Sequence, residues 1–239
     1  MVDLYAHGNN GRALGPIVTT YDYRNGKGEL LFQVVRFAGK EFRQRRPDGN
    51  GGWIWKLGRT PRVLYRLTEL LAAPRDAWVA VVEGEKDADN LAQRGAVATT
   101  CPHGAGKWGR LSDDSALEGR RVVIIVDKDA RGRAHGVDVA RRLHGRVADL
   151  RIVELPGEGK DVSDWLAAGG TVEQLQQLIE ATPPYSPPTE TQTAPLQLEV
   201  AERPTILIDT NEHRVACETI AALTADPDNR TTSKSSVKN

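Results

Sequence analysis

Two periods of hydrophobic spacing follow one another along the chain. Residues 17–58 read IVTTYDYRNGKGELLFQVVRF and then AGKEFRQRRPDGNGGWIWKLG. Runs of β-branched and aromatic residues are broken there by NGKG, AGK and DGNGG, which predicts a small antiparallel sheet of hairpins. After Pro61, RVLYRLTELLAA carries apolar residues at helical spacing until Pro74 stops it. From residue 77 short apolar runs alternate with helical patterns. AWVAVVEG is a buried strand, EKDADNLAQRG a helix closed by Gly95, and AVATTCP a second strand. GRRVVIIVDKD is a third strand, most apolar from Val122 to Val126, and ARGRAHGVDVARRLHG reads as a helix despite Gly136. ADLRIVELP is a fourth strand, KDVSDWLAAGG a short helix, and TVEQLQQLIEA a helix opened by a Thr171 and Gln174 capping box. This alternation predicts an α/β fold with a mostly parallel sheet flanked by helices, preceded by a small β-rich subdomain.

The expected organisation is a β-rich subdomain over residues 1–75, an α/β domain over 76–181, a Pro/Thr-rich linker over 182–204, and an incomplete C-terminal segment over 205–239 ending in a disordered polar tail. No internal repeat is visible. The 239 residues carry 32 basic and 32 acidic side chains, so the average charge points to no particular partner. Local charge does. Between Arg36 and Arg62 eight basic residues face two acids, Glu41 and Asp48. No run approaches the ~18 apolar residues of a membrane span, and VDLYAHGNNGRALG after Met1 lacks the features of a signal peptide, so a cytoplasmic protein with no membrane partner is expected. The two cysteines, Cys101 and Cys217, lie far apart, which leaves oxygen as the expected ligand of any metal.

Ligands of open α/β sheets bind at the carboxyl ends of the strands, and three of the predicted strands end in acids. The first runs into Glu83-Gly84-Glu85-Lys86-Asp87, the third into Asp127-Lys128-Asp129, and the fourth leads through LPGEGK to Asp161 and Asp164. On an extended D-x-D segment alternate side chains point the same way, so Asp127 and Asp129 can face one hard cation. Glu83 would face them from the neighbouring strand end, with Gly84 allowing a sharp turn, while Glu85 and Asp89 are expected on the surface of the following helix. The arrangement suits Mg²⁺ (or Mn²⁺) in phosphoryl transfer.

The series E-G-E-K-D-A, V-V-I-I-V-D-K-D-A-R-G and K-D-V-S-D-W-L, in that order over residues 78–181, resembles the Toprim domain of primases, topoisomerases and some nucleases. The resemblance implies that Glu83 is the general acid/base or a metal ligand and that Asp127 and Asp129 are the Mg²⁺ pair. Asp87 and Asp161 match further acidic positions. The continuation of D-x-D into A-x-G and the late K-D-x-x-D-W-L are most similar to phage and plasmid primases and primase–helicases. That resemblance implies RNA primer synthesis from NTPs on a single-stranded DNA template, with a replicative helicase as partner. It also implies that the basic region guides nucleic acid through Arg43, Arg45, Arg46 and Lys56. Trp53 and Trp55 either stack on bases there or form the core of the small sheet. The cysteines of the N-terminal zinc module common in phage-type primases are missing, and RPTILIDTNEHRVACETIAAL resembles only the lead-in to a helicase ATPase. A metal-dependent nuclease and a non-catalytic DNA-binding module are the alternatives. The stretch Cys101-Pro-His-Gly-Ala-Gly-Lys107-Trp108 is not a Walker A loop, having Cys101 for the first glycine and Trp108 after the lysine; it is either a phosphate contact or a structural loop. His103, His135 and His144 lack metal spacing and read as surface residues.

Overall fold

A computed structural model describes residues 15–39 and 41–188. The first sheet is antiparallel, with strands β1 (Ile17–Arg24), β2 (Leu30–Phe37), β3 (Phe42–Pro47) and β4 (Trp53–Ile54) side by side in chain order. The NGKG turn forms as its residues predict. Asn25 Oδ1 accepts from the amides of Lys27 and Glu29, both at 3.0 Å, and Gly28 sits at φ +82°, a conformation costly for other residues.

Helix α1 (Leu67–Ala72) leads to the second sheet, in which β5 (Trp78–Val81), β6 (Val97–Thr99), β7 (Arg121–Val126) and β8 (Asp149–Glu154) are all parallel, in the order β6-β5-β7-β8. Helices α2 (Glu85–Ala92), α3 (Ala130–Leu143), α4 (Val162–Ala167) and α5 (Val172–Ala181) connect and cover it. The chain steps from β5 to one side and then crosses to the other, so the topological switch point lies between β5 and β7. A crevice opens there at the strand ends.

One apolar core lies under α3 and a second under α2, α4 and α5. The second also takes in Tyr21, Tyr23, Phe32 and Val34 of the antiparallel sheet, and both sheets belong to one compact unit ending at Pro188. The change of pattern near residue 75 is therefore a change of sheet within that unit. Two acids expected on the surface of α2 are tied down by hydrogen bonds instead, and Glu85 ties the helix to the antiparallel sheet. Glu85 is buried, accepting a 2.7 Å hydrogen bond from the fully buried Tyr23 hydroxyl, and Asp89 accepts from Tyr65 at 3.1 Å and from Arg66 at 2.9 Å.

Gly132 and Gly136 let α3 press onto the end of β7. A Cβ at Gly132 would lie 2.6 Å from the Asp127 carbonyl oxygen, and one at Gly136 2.3 Å from Val126 Cγ1. Residues 182–188, the described part of the expected linker, lie against β8, with the Tyr185 amide donating to Leu150 O at 2.6 Å. The rest of that linker and the C-terminal segment fall outside the described residues.

Candidate active site

Glu83 follows the end of β5 and Asp127 follows the end of its neighbour β7, so both carboxyls stand at the switch point. Asp127 is half-buried, and its carboxyl is pushed up to about 7, first by burial and then by the negative charges of Glu83, Asp87, Asp161 and Asp129. Glu83 is raised by burial and by Asp129 and Asp87, against the opposing pull of Arg131. The five acids singled out in the sequence thus share one electrostatic field. Strand β7 stops at Val126, however, so Asp127 and Asp129 are not alternate residues of an extended strand. Asp129 caps α3 by accepting from the Gly132 amide at 2.7 Å, and Asp161 caps α4 by accepting from the Asp164 amide at 2.8 Å. Gly84, with φ −127° and ψ 158°, is extended backbone that any residue adopts, and the sharp turn expected of it is not made.

Asp87 is buried, and its carboxyl is raised mainly by that burial. One of its oxygens accepts both the Ser163 hydroxyl and, at 3.1 Å, the Ser163 amide, while Asn90 donates to the same hydroxyl at 2.7 Å. The K-D-V-S-D-W-L motif thereby orients a carboxyl of the first acidic motif. Neither Ser163 nor Arg131 was singled out by sequence reasoning. No group of three or more His, Cys, Asp or Glu side chains among the described residues is arranged to hold a metal ion.

The loop after β6 lies over Glu83. Gly104, at φ +66°, would place a Cβ 3.3 Å from the Glu83 carbonyl oxygen. The amides of Gly104 and Lys107 donate to Cys101 O and Gly104 O, and that of Gly106 donates to His135 Nδ1 at 3.1 Å. These three amides are satisfied within the protein and are not free to hold a phosphate. His135 is buried, contrary to its surface reading, because it ties this loop to α3.

The basic residues divide. A cleft of about 290 Å³ runs between β3 and the carboxyls, lined by Phe42, Arg43 and Gln44 on one side and Glu83, Asp87 and Asp127 on the other. Arg43 is therefore brought to the site. Arg45 is not offered to solvent as expected. It is buried, donates to Gln33 Oε1 at 2.8 Å, and its guanidinium carbon lies 4.0 Å from the centre of the Trp53 ring and 5.3 Å from that of Trp55. Both tryptophans are thus packing residues of the sheet. Arg46 donates to the Lys56 carbonyl at 3.2 Å, and the Lys56 side chain is exposed.

No family model matches the chain. A UPF0292 protein of Archaeoglobus fulgidus is 31% identical over 88 residues, which are 36% of this chain and 68% of that protein. The chain belongs to the UPF0292 family. Among solved structures, this family member is similar to the Aquifex aeolicus primase zinc-binding and RNA polymerase domains, at 21% identity and a TM-score of 0.52, over 70% of this chain and 40% of that one. The primase fragment of the bacteriophage T7 primase-helicase aligns with a TM-score of 0.45 and 20% identity, over 67% of this chain and 61% of its own. The fold is primase-like, and the chain spans less than two thirds of either solved structure. No described helix is long and apolar enough to cross a membrane.

Proposed function

We propose that the chain is a Toprim-type primase-like nucleotidyltransferase that makes RNA primers on single-stranded DNA in a Mg²⁺-dependent reaction. The observation that carries this reading is the convergence of Glu83, Asp127, Asp129, Asp87 and Asp161 on the switch point, where burial and then the charges of the other four raise the Asp127 carboxyl. A site made of carboxylates alone fits a hard cation, and Mg²⁺ needs only one or two of them beside waters and substrate phosphates. Asp127 and Asp129 would hold it. When bound, the metal neutralises the triphosphate and lowers the cost of forming a 3′-alkoxide.

The chain's own groups do the rest. Glu83, with its carboxyl raised by burial, is suited to take the proton from the attacking hydroxyl at its side-chain oxygens. Ser163 holds Asp87 in one orientation, and the loop over Glu83 restricts water on that side. Arg43 on the opposite wall and the exposed Lys56 supply positive charge for the nucleic-acid backbone. The same reading makes NTPs and a DNA template the substrates and a replicative helicase a partner. Incubation with single-stranded DNA, four NTPs and Mg²⁺ tests it. Primers are the expected product; cut DNA would replace this reading by a nuclease, and binding without product by a non-catalytic module.

A further inference from the structure

We infer that the wall of the cleft facing the carboxyls is a nucleobase site formed by Phe42 and Gln44 of β3. This rests on the primase-like reading and specifies how that site grips its nucleotide. Strand register places the two residues. Tyr21 pairs with Val34 and Tyr23 with Phe32, while Val34 pairs with Gln44 and Arg36 with Phe42, so Phe42 and Gln44 share the sheet face that packs on α2. Tyr21, Tyr23 and Phe32 on that face are at most 6% exposed, whereas Phe42, where the face reaches the cleft, is 50% exposed. The Arg36 guanidinium lies 5.9 Å from the centre of the Phe42 ring, which restrains the ring and places positive charge beside it.

Gln44 contributes a second, independent sign. Its side-chain nitrogen is buried and has no hydrogen-bond partner, although it lines the same cleft. Buried polar groups are nearly always paired, and an acceptor on a ligand in the cleft would pair this one. A primary amide also offers both a donor and an acceptor, as the edge of a base requires. The occupant must present a flat π-face to Phe42, an acceptor to Gln44, and a metal-binding anion toward Asp127. A nucleotide meets all three demands. The volume, about 290 Å³, stands at the small end of the ~300–1,000 Å³ of small-molecule sites. The base belongs either to the incoming NTP or to the template strand, and both present the same chemistry.

The experiment measures binding of NTPs with Mg²⁺ and, separately, of a short single-stranded oligonucleotide, each at two salt concentrations. It compares the native chain with Phe42→Ala, Phe42→Tyr, Gln44→Ala and Asp127→Asn. Phe42→Ala is expected to weaken one of the two ligands by roughly 5- to 100-fold, as loss of one stacked base does, with no change in salt dependence because no phosphate contact is lost. The ligand that weakens identifies the source of the base. Phe42→Tyr should bind as the native chain does, and Gln44→Ala should narrow the differences in affinity among the four NTPs. Native affinity of Phe42→Ala for both ligands, beside lost Mg²⁺-dependent binding in Asp127→Asn, overturns this inference alone. Absence of any nucleotide or oligonucleotide binding by the native chain overturns it together with the primase-like reading.

Discussion

Replacing Gly132 by alanine tests whether the close approach of α3 to β7 sets the position of Asp127. Two effects oppose each other. Alanine in a helix interior is favoured over glycine by about 1 kcal/mol, while forcing a methyl group into a filled space costs about 1–3 kcal/mol. At Gly132 the added Cβ would stand 2.6 Å from Asp127 O, 2.8 Å from Asp127 Cβ and 3.0 Å from Asp127 N. Two of those atoms are backbone, which cannot turn aside as the tip of a long side chain can, so the cost belongs at the upper end of its range. The net expectation is a loss of about 2 kcal/mol, or roughly 4–8 °C in melting temperature at this chain length. The helix must lift away from Asp127, taking the Asp129 cap with it, so the two carboxyls separate and Mg²⁺ affinity should fall as well. Thermal unfolding followed by circular dichroism, with calorimetric Mg²⁺ titration of the folded variant, reads both effects. A Gly132→Ala chain more stable than the native one, with undiminished Mg²⁺ binding, would refute the close-packing argument.

Tyr23→Phe removes the donor to the buried Glu85 and should cost about 1–3 kcal/mol, measured by urea unfolding. The metal-free protein should become less stable as pH rises from the ordinary carboxylate range through about 7, because the folded state binds the Asp127 proton more tightly than the unfolded state does. Asp127→Asn should flatten that part of the stability–pH profile, and an unaltered profile would show that Asp127 is not the titrating group. Lys56→Ala should lower the salt slope of single-strand binding by about 0.7. Arg45→Ala should leave that slope unchanged and reduce stability, since Arg45 is packed over Trp53 and Trp55; the opposite pattern in filter-binding and melting experiments would reverse their assigned roles.

The parallel sheet was legible because its strands are buried on both faces and therefore read as unbroken apolar runs such as VVIIV. The acids at the strand ends were legible for the same reason, since an acid after such a run must lie at the rim. Burial of Glu85 was missed, although Glu85, Ala88 and Leu91 share one helical face and all three are buried. Its partner Tyr23 is 62 residues away, and nothing local announces a tyrosine waiting for a carboxyl. Gly136 looked like a weakness in a helix, whereas Val126 Cγ1 occupies the space where its side chain would be. In β3 polar residues occupy both faces, so alternation does not show which side is covered. Arg45 was therefore read as a nucleic-acid contact, and Phe42 and Gln44 went unremarked.

Primer synthesis on single-stranded DNA with four NTPs, measured across a Mg²⁺ titration for the native chain, Glu83→Gln and Glu85→Gln, tests the central claim most directly. Mg²⁺-dependent primers are expected from the native chain. A loss of roughly 10²–10⁴-fold is expected in Glu83→Gln, where a proton acceptor is removed, and far less in Glu85→Gln, which can still accept from Tyr23. Primers formed equally well by Glu83→Gln, or a larger loss at Glu85, would contradict that claim.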